Sequence, residues 1–430
     1  MRTALLALST IGISLFFAPV PRCAASGWTE LDSGTAARLH AVHFTAIDRG
    51  VAVGAAGVGL RTTDAGATWE SLEMATGVDL HDVHFVETVG VAVGDGGTIV
   101  RTTDSGTTWT VVSSGVTDGL RSVSLSGSNG VCGGQSQTIL TTTDAGASWE
   151  IAQSGFFGGG FFGAVMLGPD HAFVGGQNSI FQPLAGRSTD GGASWSFTPF
   201  YLQGNEGSLA RIDFTDANTG YAAAAVWDGS GAISRTADGG ETWTSRLFPE
   251  RLHGISFPIS DAGLVGYCVG SAGTILKTVD AGSSWTAQES GTAVTLRDVH
   301  FVDFDNGYAV GDGGAILKTT SGGEPPSGIV EEIPSERAEP GAAPAFRPNP
   351  FRTATTLHFT LSEGGNVEIA LLDVTGRRVR TLFDGRLASG SHSVAWDGRD
   401  DSGSRLKAGV YAYRVALPGN RHGGTVILSK

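Results

Sequence analysis

Five basic side chains occupy one repeated position of this sequence, and their chemistry suits the binding of an anion. Each directly follows a leucine that opens an apolar segment, and the set is His40, His81, Arg121, His253 and Arg297. Guanidinium and protonated imidazole groups donate charge-assisted hydrogen bonds to carboxylates. If these segments lie side by side, the five side chains ring one mouth of a central channel and bind an anionic group or a peptide carboxylate. The alternative is that they are solvated residues at strand ends.

Aromatic residues in two irregular segments form a second set of candidates. Phe156 and Phe157 open the loop FFGGGFF, and Trp227 lies in an enlarged turn farther along the chain. Aromatic patches of this kind often mark contacts with a protein or a glycan. Phe162, which ends the loop, is expected in the core in place of a repeated leucine. Phe156, Phe157 and Trp227 are therefore the predicted partner-binding aromatics.

Three further histidines, His43, His84 and His300, share another repeated position. Neighbouring sheets pack about 10 Å apart, so we expect these imidazoles to pack in the core rather than share a metal ion. The pattern predicts no catalytic residue, no metal ligand and no cofactor. Cys132 and Cys268 also share one position, in segments too far apart to be bridged, and are expected to be buried free thiols.

The elements that must position these residues repeat about every forty residues. Each unit has a segment L-x-x-V-x-F, a segment G-V/Y-A-V-G, a glycine turn, and a motif such as TTDAGATW; the Trp residues that mark the seven units are Trp28, Trp69, Trp109, Trp149, Trp195, Trp243 and Trp285. Alternating apolar runs between glycine turns are typical of hairpins, and units of this size are typical of propeller blades. The sequence therefore predicts an all-β protein with a seven-bladed β-propeller at residues 26–323.

The last unit lacks the Trp that ends the motif, and this gap indicates how the ring closes. A segment beginning at Trp28 is left over at the other end of the repeat. We expect Trp28 to Asp32 to pair beside Ala315 to Thr319, because this pairing removes two open sheet edges.

Composition narrows the function classes. The chain has 430 residues, of which 65 are glycine, and a formal net charge of −14. Glycine without a Gly-X-Y period excludes collagen and favours a turn-rich folded protein. The acidic balance disfavours nucleic acid as the main partner.

The two ends of the chain carry different signals. Residues 1–25 have the basic, apolar and small-residue order of a secretory signal peptide, so the protein is expected to be exported. Residues 324–344 are rich in Pro and Glu and indicate an extended linker. Residues 345–430 carry twelve basic and seven acidic residues and show their own alternating strand pattern.

The repeated Asp motif resembles the Asp box (BNR repeat) of sialidase-like propellers. In that resemblance the aspartate braces a tight turn and is not catalytic, and the residues concerned are Asp64, Asp104, Asp144, Asp190, Asp238 and Asp280. The order of segments over about 300 residues also resembles the photosystem II stability and assembly factor family. That resemblance implies a non-enzymatic chaperone of a membrane complex.

The C-terminal region resembles the Ig-like module of flagellar hook-capping proteins and the sorting domain of type IX secretion cargo. The resemblance rests on Asn349-Pro350-Phe351, Trp396-Asp397-Gly398 and Gly409-Val410-Tyr411. It implies an Ig-like β-sandwich at residues 345–430 and, in the second family, contact with outer-membrane secretion machinery.

Together these features predict a secreted or cell-surface, non-catalytic scaffold that binds a protein or a glycan, most simply as a monomer. One alternative is a periplasmic assembly factor for a membrane complex. Another is a glycan hydrolase of the sialidase-like type, although Tyr221, Tyr267 and Tyr308 occupy a repeat position instead of a nucleophile position.

Overall fold

The computed structural model describes residues 27–154, 158–258, 265–303, 305–323 and most of 344–429. Within these ranges, seven four-stranded antiparallel sheets follow one another as blades. The first three blades are formed by β2 (Leu39–Ala46), β3 (Arg49–Gly54), β4 (Gly59–Thr62) and β5 (Glu70–Leu72); β6 (Leu80–Val86), β7 (Val89–Gly94), β8 (Thr98–Thr102) and β9 (Thr110–Val112); and β10 (Leu120–Ser126), β11 (Asn129–Gly134), β12 (Ile139–Thr142) and β13 (Glu150–Gln153).

The next three blades keep the same strand order. They are formed by β14 (Gly160–Leu167), β15 (His171–Gln177), β16 (Pro183–Ser188) and β17 (Ser196–Pro199); β18 (Gly207–Phe214), β19 (Gly220–Val226), β20 (Gly231–Thr236) and β21 (Thr244–Phe248); and β22 (Leu252–Ser256), β23 (Gly266–Gly270), β24 (Ile275–Thr278) and β25 (Thr286–Gln288). The all-β propeller predicted from the repeat is confirmed.

The seventh blade joins the two ends of the ring. From the channel outwards its strands are β26 (Leu296–Phe301), β27 (Gly307–Gly311), β28 (Ile316–Gly323) and β1 (Gly27–Leu31). We call the first strand of each blade, here β26, its inner strand and the fourth its outer strand. Thr29 pairs with Lys318 and Leu31 with Ile316. The predicted closure by the N-terminal strand is therefore present, and it pairs the sheet edge that the missing Trp leaves open.

Each blade is packed by the residues that define the repeat. Trp69 meets Phe44 edge-on with ring centroids 6.0 Å apart, and the equivalent Trp–Phe pairs of three other blades lie 5.7–6.1 Å apart. Phe44 also stacks on Tyr308 of the preceding blade with ring centroids 3.6 Å apart. The Phe ring lies directly over a glycine of the second strand. A Cβ on Gly90 would approach Phe85 to 2.4 Å, so this position admits no side chain.

The aspartates of the repeated motif brace the turn between the third and fourth strands. Asp104 Oδ1 accepts hydrogen bonds from the Thr102 hydroxyl and the Thr108 amide, and Oδ2 accepts one from the Thr108 hydroxyl at 2.6 Å. These donors hold the pKa of Asp104 below its usual range. We call these turns the Asp turns, and the end of the propeller on which they lie the Asp-turn face.

The C-terminal domain is a sandwich of two sheets. One contains β29 (Ala345–Arg347), β30 (Thr355–Leu361) and β33 (Gly390–Trp396); the other contains β31 (Gly365–Leu372), β32 (Arg378–Leu387), β34 (Gly409–Leu417) and β35 (Asn420–Leu428). Both sheets contribute to a core around the fully buried Trp396. The Ig-like fold predicted for this region is confirmed.

Candidate functional site

A β-bulge places the five basic candidates at one end of the channel. In all seven blades, the pairing of the first two strands shifts by one residue just after the inner strand begins. The unpaired residue of a bulge leaves the ladder, and its side chain is aimed away from its usual direction. We call these seven residues the bulge ring and their end of the propeller the mouth face; they are His40, His81, Arg121, Phe162, Ala210, His253 and Arg297.

Phe162 corrects one prediction. Phe161 takes the place of the repeated leucine and is fully buried, whereas Phe162 is the bulge residue and is partly exposed. The prediction was wrong by one residue because two adjacent phenylalanines gave the pattern two possible registers.

On blades 2 and 3 the bulge ring is organised around a carboxylate. Asp95 Oδ1 lies 2.9 Å from His81 Nε2 and 3.3 Å from an Arg121 nitrogen, and Arg121 also contacts the His81 ring. His40 stacks on His81 with ring centroids 5.0 Å apart, and its Nδ1 lies 2.8 Å from the Leu80 carbonyl. Burial lowers the pKa of both His40 and His81, so the cations on this side are chiefly arginine.

On blades 7 and 1 a second carboxylate plays the same part. Arg297 donates to both oxygens of Asp312, at 2.9 and 3.0 Å, and Arg38 donates to Asp312 Oδ1 at 2.8 Å. Hydrogen bonding from the Arg297 side chain is the main cause that lowers the pKa of Asp312. The ring is therefore not a set of free cations, as the spacing had suggested, but an arrangement of arginine donors beside carboxylate acceptors.

On blade 6, His253 completes the basic part of the ring. Its Nε2 lies 3.2 Å from the Ser271 hydroxyl, and burial lowers its pKa to about 4, so it is neutral at pH 7. Blades 4 and 5 contribute Phe162 and Ala210 at the same level. The mouth thus has a polar arc over five blades and an apolar arc over two.

One residue farther along the inner strands lies a buried ion triad that the sequence analysis missed. Arg211 donates to Asp82 at 2.7 Å and to Asp298 at 3.1 Å across the channel, and all three side chains are 14% exposed or less. Asp82 also accepts from the Ser122 hydroxyl and the Val123 amide, each at 2.9 Å. We call Asp82, Arg211 and Asp298 the ion triad. The signal was available, since charges of opposite sign stand where other repeats have Ala, Ser or Gly.

Two other blades have glycine at the level of the ion triad, where the first strand of the next blade approaches too closely for a side chain. A Cβ on Gly163 would lie 2.6 Å from the Ile212 amide nitrogen, and one on Gly254 would lie 2.9 Å from the Asp298 Cα. The channel is consequently filled at this level by side chains from blades 2, 5 and 7.

Beyond the ion triad the channel widens into a cavity of about 380 Å³ lined partly by His43, His84 and His300. The ring centroid of His43 lies 4.6 Å from that of His84 and 4.5 Å from that of His300. The expected separation of about 10 Å was wrong, because inner strands converge at the propeller axis. Burial is the main cause that lowers the pKa of all three histidines, and the pKa values of His84 and His300 fall to about 4.

These imidazoles are arranged as a packed cluster. His84 Nδ1 accepts the Leu125 amide at 3.3 Å, which leaves the proton on Nε2, and His300 Nε2 lies 3.1 Å from the Phe44 carbonyl. In the described part of the chain no group of three or more His, Cys, Asp or Glu side chains has the geometry to hold a metal ion.

Trp227, the described member of the aromatic candidates, is half exposed on the mouth face. It lies in the turn after β19, next to Phe181 in the turn after β15, with ring centroids 5.7 Å apart and planes nearly perpendicular. Tyr201 is exposed in the connection between the same two blades. Phe156 and Phe157 lie outside the described residues.

Other repeated residues are structural. Lys318 donates to the Ala65 carbonyl at 2.7 Å, Arg101 to the Ala145 carbonyl at 2.8 Å, and Lys277 to the Gly322 carbonyl at 3.0 Å, each in the adjacent blade. The basic residue before each of these three motifs thus links neighbouring blades. Cys132 and Cys268 are buried and free, as predicted.

Comparison with known proteins supports both domains. A family model for the photosynthesis system II assembly factor YCF48 matches residues 20–116 and 68–156. A model for the FlgD Ig-like domain matches residues 352–419. The propeller resembles YCF48.

Solved structures agree on the fold. The structure titled "YCF48 bound to D1 peptide" has a TM-score of 0.56 and 19% identity, and the match covers 70% of this chain and 99% of that one. YCF48 from Cyanidioschyzon merolae gives 0.56 and 18%, with coverage of 69% and 99%. The WD40 propeller of Doa1 gives 0.52 and 12%, with coverage of 68% and 96%. No curated protein matches significantly. Among the described residues, no helix has the length and hydrophobicity that crossing a membrane requires.

Proposed function

We propose that this protein is a non-catalytic, protein-binding propeller that holds a polypeptide segment of its partner on the mouth face. The observation that carries the proposal is the bulge ring, which brings arginine donors and carboxylate acceptors together at one end of the channel. Arg121 beside Asp95, and Arg38 and Arg297 beside Asp312, form two such groups. Donors and acceptors side by side suit the C=O and N–H groups, and the terminal carboxylate, of a peptide.

The similarity to YCF48 supports a role as an assembly factor. One similar solved structure is described as bound to a D1 peptide. This chain has its own acidic propeller and Ig-like domain, so we propose the same class of activity toward a different partner. Mass spectrometry of the protein from periplasm, surface and medium tests the proposed export: a start near residue 26 supports it, and retention of Met1 contradicts it.

A proposed role for residues 345–430 in sorting or attachment is tested in the same fractions. Loss of about 85 C-terminal residues in the exported form supports a sorting signal. An intact Lys430 in the exported form supports a permanent Ig-like domain and the periplasmic alternative.

The binding face is tested by photo-crosslinking in the cell of origin. A photoreactive amino acid replaces His253 on the mouth face in one variant and Arg49 on the Asp-turn face in the other. We expect one protein to be captured from position 253 only, and capture to fall when Arg121→Ala and Arg297→Ala are added. Equal capture from both faces, or capture that survives both substitutions, contradicts the proposal.

A further inference from the structure

The turns after the second strands of blades 4 and 5 differ from those of the other blades, and together they build an aromatic surface. Blades 1, 2, 6 and 7 have a three-residue 3₁₀ turn here, such as Asp95–Gly97. The second strands of blades 4 and 5 are longer, and the turns that follow them expose Phe181 and Trp227, which are 52% and 50% exposed. Both lie on the mouth face, because they follow the ends of β15 and β19 that pair with the start of β14 and β18.

Backbone hydrogen bonds connect the two turns that carry these rings. The Gly207 amide donates to the Phe181 carbonyl at 3.2 Å, and the Trp227 amide donates to the Glu206 carbonyl at 3.4 Å, so the segment between blades 4 and 5 connects the two turns. The perpendicular arrangement of the rings is a favourable aromatic geometry. Aromatic side chains have only two rotatable bonds, so these rings lose little conformational entropy when a ligand binds.

Acidic residues lie on the segments next to the aromatic pair. Asp228 follows Trp227 directly, and its Oδ1 accepts the Ser230 amide at 2.9 Å and the Ser230 hydroxyl at 2.6 Å. Glu206 and Glu250 are exposed nearby, and Arg251 is the basic residue whose charge acts on Asp228. Three acidic groups against one basic group give this surface an excess of negative charge. We call Phe181, Trp227, Glu206 and Asp228 the aromatic corner.

We propose that the aromatic corner binds a lysine or arginine side chain of the partner polypeptide. The face of an indole ring attracts a cation, and adjacent carboxylates add a hydrogen-bonded ion pair with the same group. The alkyl part of lysine or arginine also packs on an aromatic surface. An uncharged apolar side chain would gain the packing but would form no ion pair with the carboxylates. The aromatic corner would thus select a basic side chain of the partner, beside the polar arc of the bulge ring.

The inference rests on the proposed function in taking the partner to be a polypeptide on the mouth face, but it rests on different residues. The probe is a phage-displayed library of random twelve-residue peptides, selected on the full mature chain. An enriched peptide is then synthesised together with a twin in which norleucine replaces each Lys or Arg. We expect the enriched peptides to carry Lys or Arg, and the twin to bind about tenfold more weakly.

Variants locate the contact. Trp227→Ala should weaken binding of the basic peptide about tenfold, and Asp228→Asn with Glu206→Gln should weaken it and reduce its dependence on salt. Asparagine keeps an oxygen for the Ser230 bonds, so the turn is retained. Val111→Ala removes another exposed apolar side chain, on the outer strand of blade 2, and serves as the control.

Three results would overturn the inference: no enriched peptide, equal binding of the norleucine twin, or unchanged binding to the Trp227→Ala variant. Its failure is distinguishable from failure of the proposed function. If Arg121→Ala with Arg297→Ala abolishes capture of the native partner while Trp227→Ala has no effect, the aromatic corner is excluded and the mouth face stands as the binding face.

Discussion

The bulge ring and the ion triad lie one residue apart on the same inner strands, yet their surroundings differ. Arg297 and Asp312 of the mouth have side chains 29% and 32% exposed, whereas Arg211 and Asp82 are 14% and 7% exposed. Exposed ion pairs are screened and contribute little to stability, but a buried charge that loses its partner is strongly destabilising. We therefore expect the ion triad to serve fold integrity, and we propose that the same residue types serve recognition at the mouth.

Removing the positive charge of Arg211 should have the largest effect on stability. Arg211→Ala leaves Asp82 and Asp298 buried without their cation, and we expect a loss of about 3–5 kcal/mol in the free energy of unfolding. Urea denaturation of the full chain measures it. As a control, Arg211→Met combined with Asp82→Asn and Asp298→Asn should recover most of the loss, because no charge is left buried and the asparagine oxygens still accept the Val123 and Val42 amides. A single Arg211→Ala variant as stable as the parent would show that the triad does not hold the blades.

Acid should destabilise the protein through the histidines of the interior. His84 and His300 have pKa values near 4 in the folded protein and near 6.5 when unfolded, so the unfolded state binds more protons as pH falls. Their contribution to stability is present above pH 6.5 and is lost between pH 6.5 and 4, by at most about 3 kcal/mol for each group.

Asp213 opposes this trend in the same cavity. Burial raises its pKa to about 7, so its contribution is largest at low pH and is lost as pH rises through 7. His300→Gln keeps a donor for the Phe44 carbonyl and removes one titrating group, so the loss of stability between pH 6.5 and 4 should become smaller. An unchanged pH profile in this variant would mean that His300 is already solvated.

Substitution at the mouth should separate binding from stability. Arg297→Ala removes an exposed ion pair, and we expect unfolding to change by less than about 1 kcal/mol while partner affinity falls about tenfold or more. Denaturation and a binding isotherm on the same preparation measure the two effects. A loss of more than about 2 kcal/mol in the free energy of unfolding would mean that Arg297, like the ion triad, holds the fold.

The sequence predicted more of the fold than of the candidate site. The Trp spacing and the missing final Trp were sufficient for seven blades and for the pairing of Thr29 with Lys318, because local patterns repeat and closure follows from edge pairing. It located the mouth side chains but not their partners Asp95 and Asp312, which come from turns. It also missed contacts across the channel, such as Arg211 with Asp82, since these depend on how closely strands converge at the axis.

Hydrogen–deuterium exchange with and without the native partner tests directly whether the mouth face binds the partner while the interior holds the fold. We predict new protection in the connections that form the mouth, residues 75–81, 115–121 and 292–297, with the Asp turns at 62–68 and 102–108 unchanged. Protection confined to the Asp turns, with the mouth connections exchanging as before, would contradict the claim.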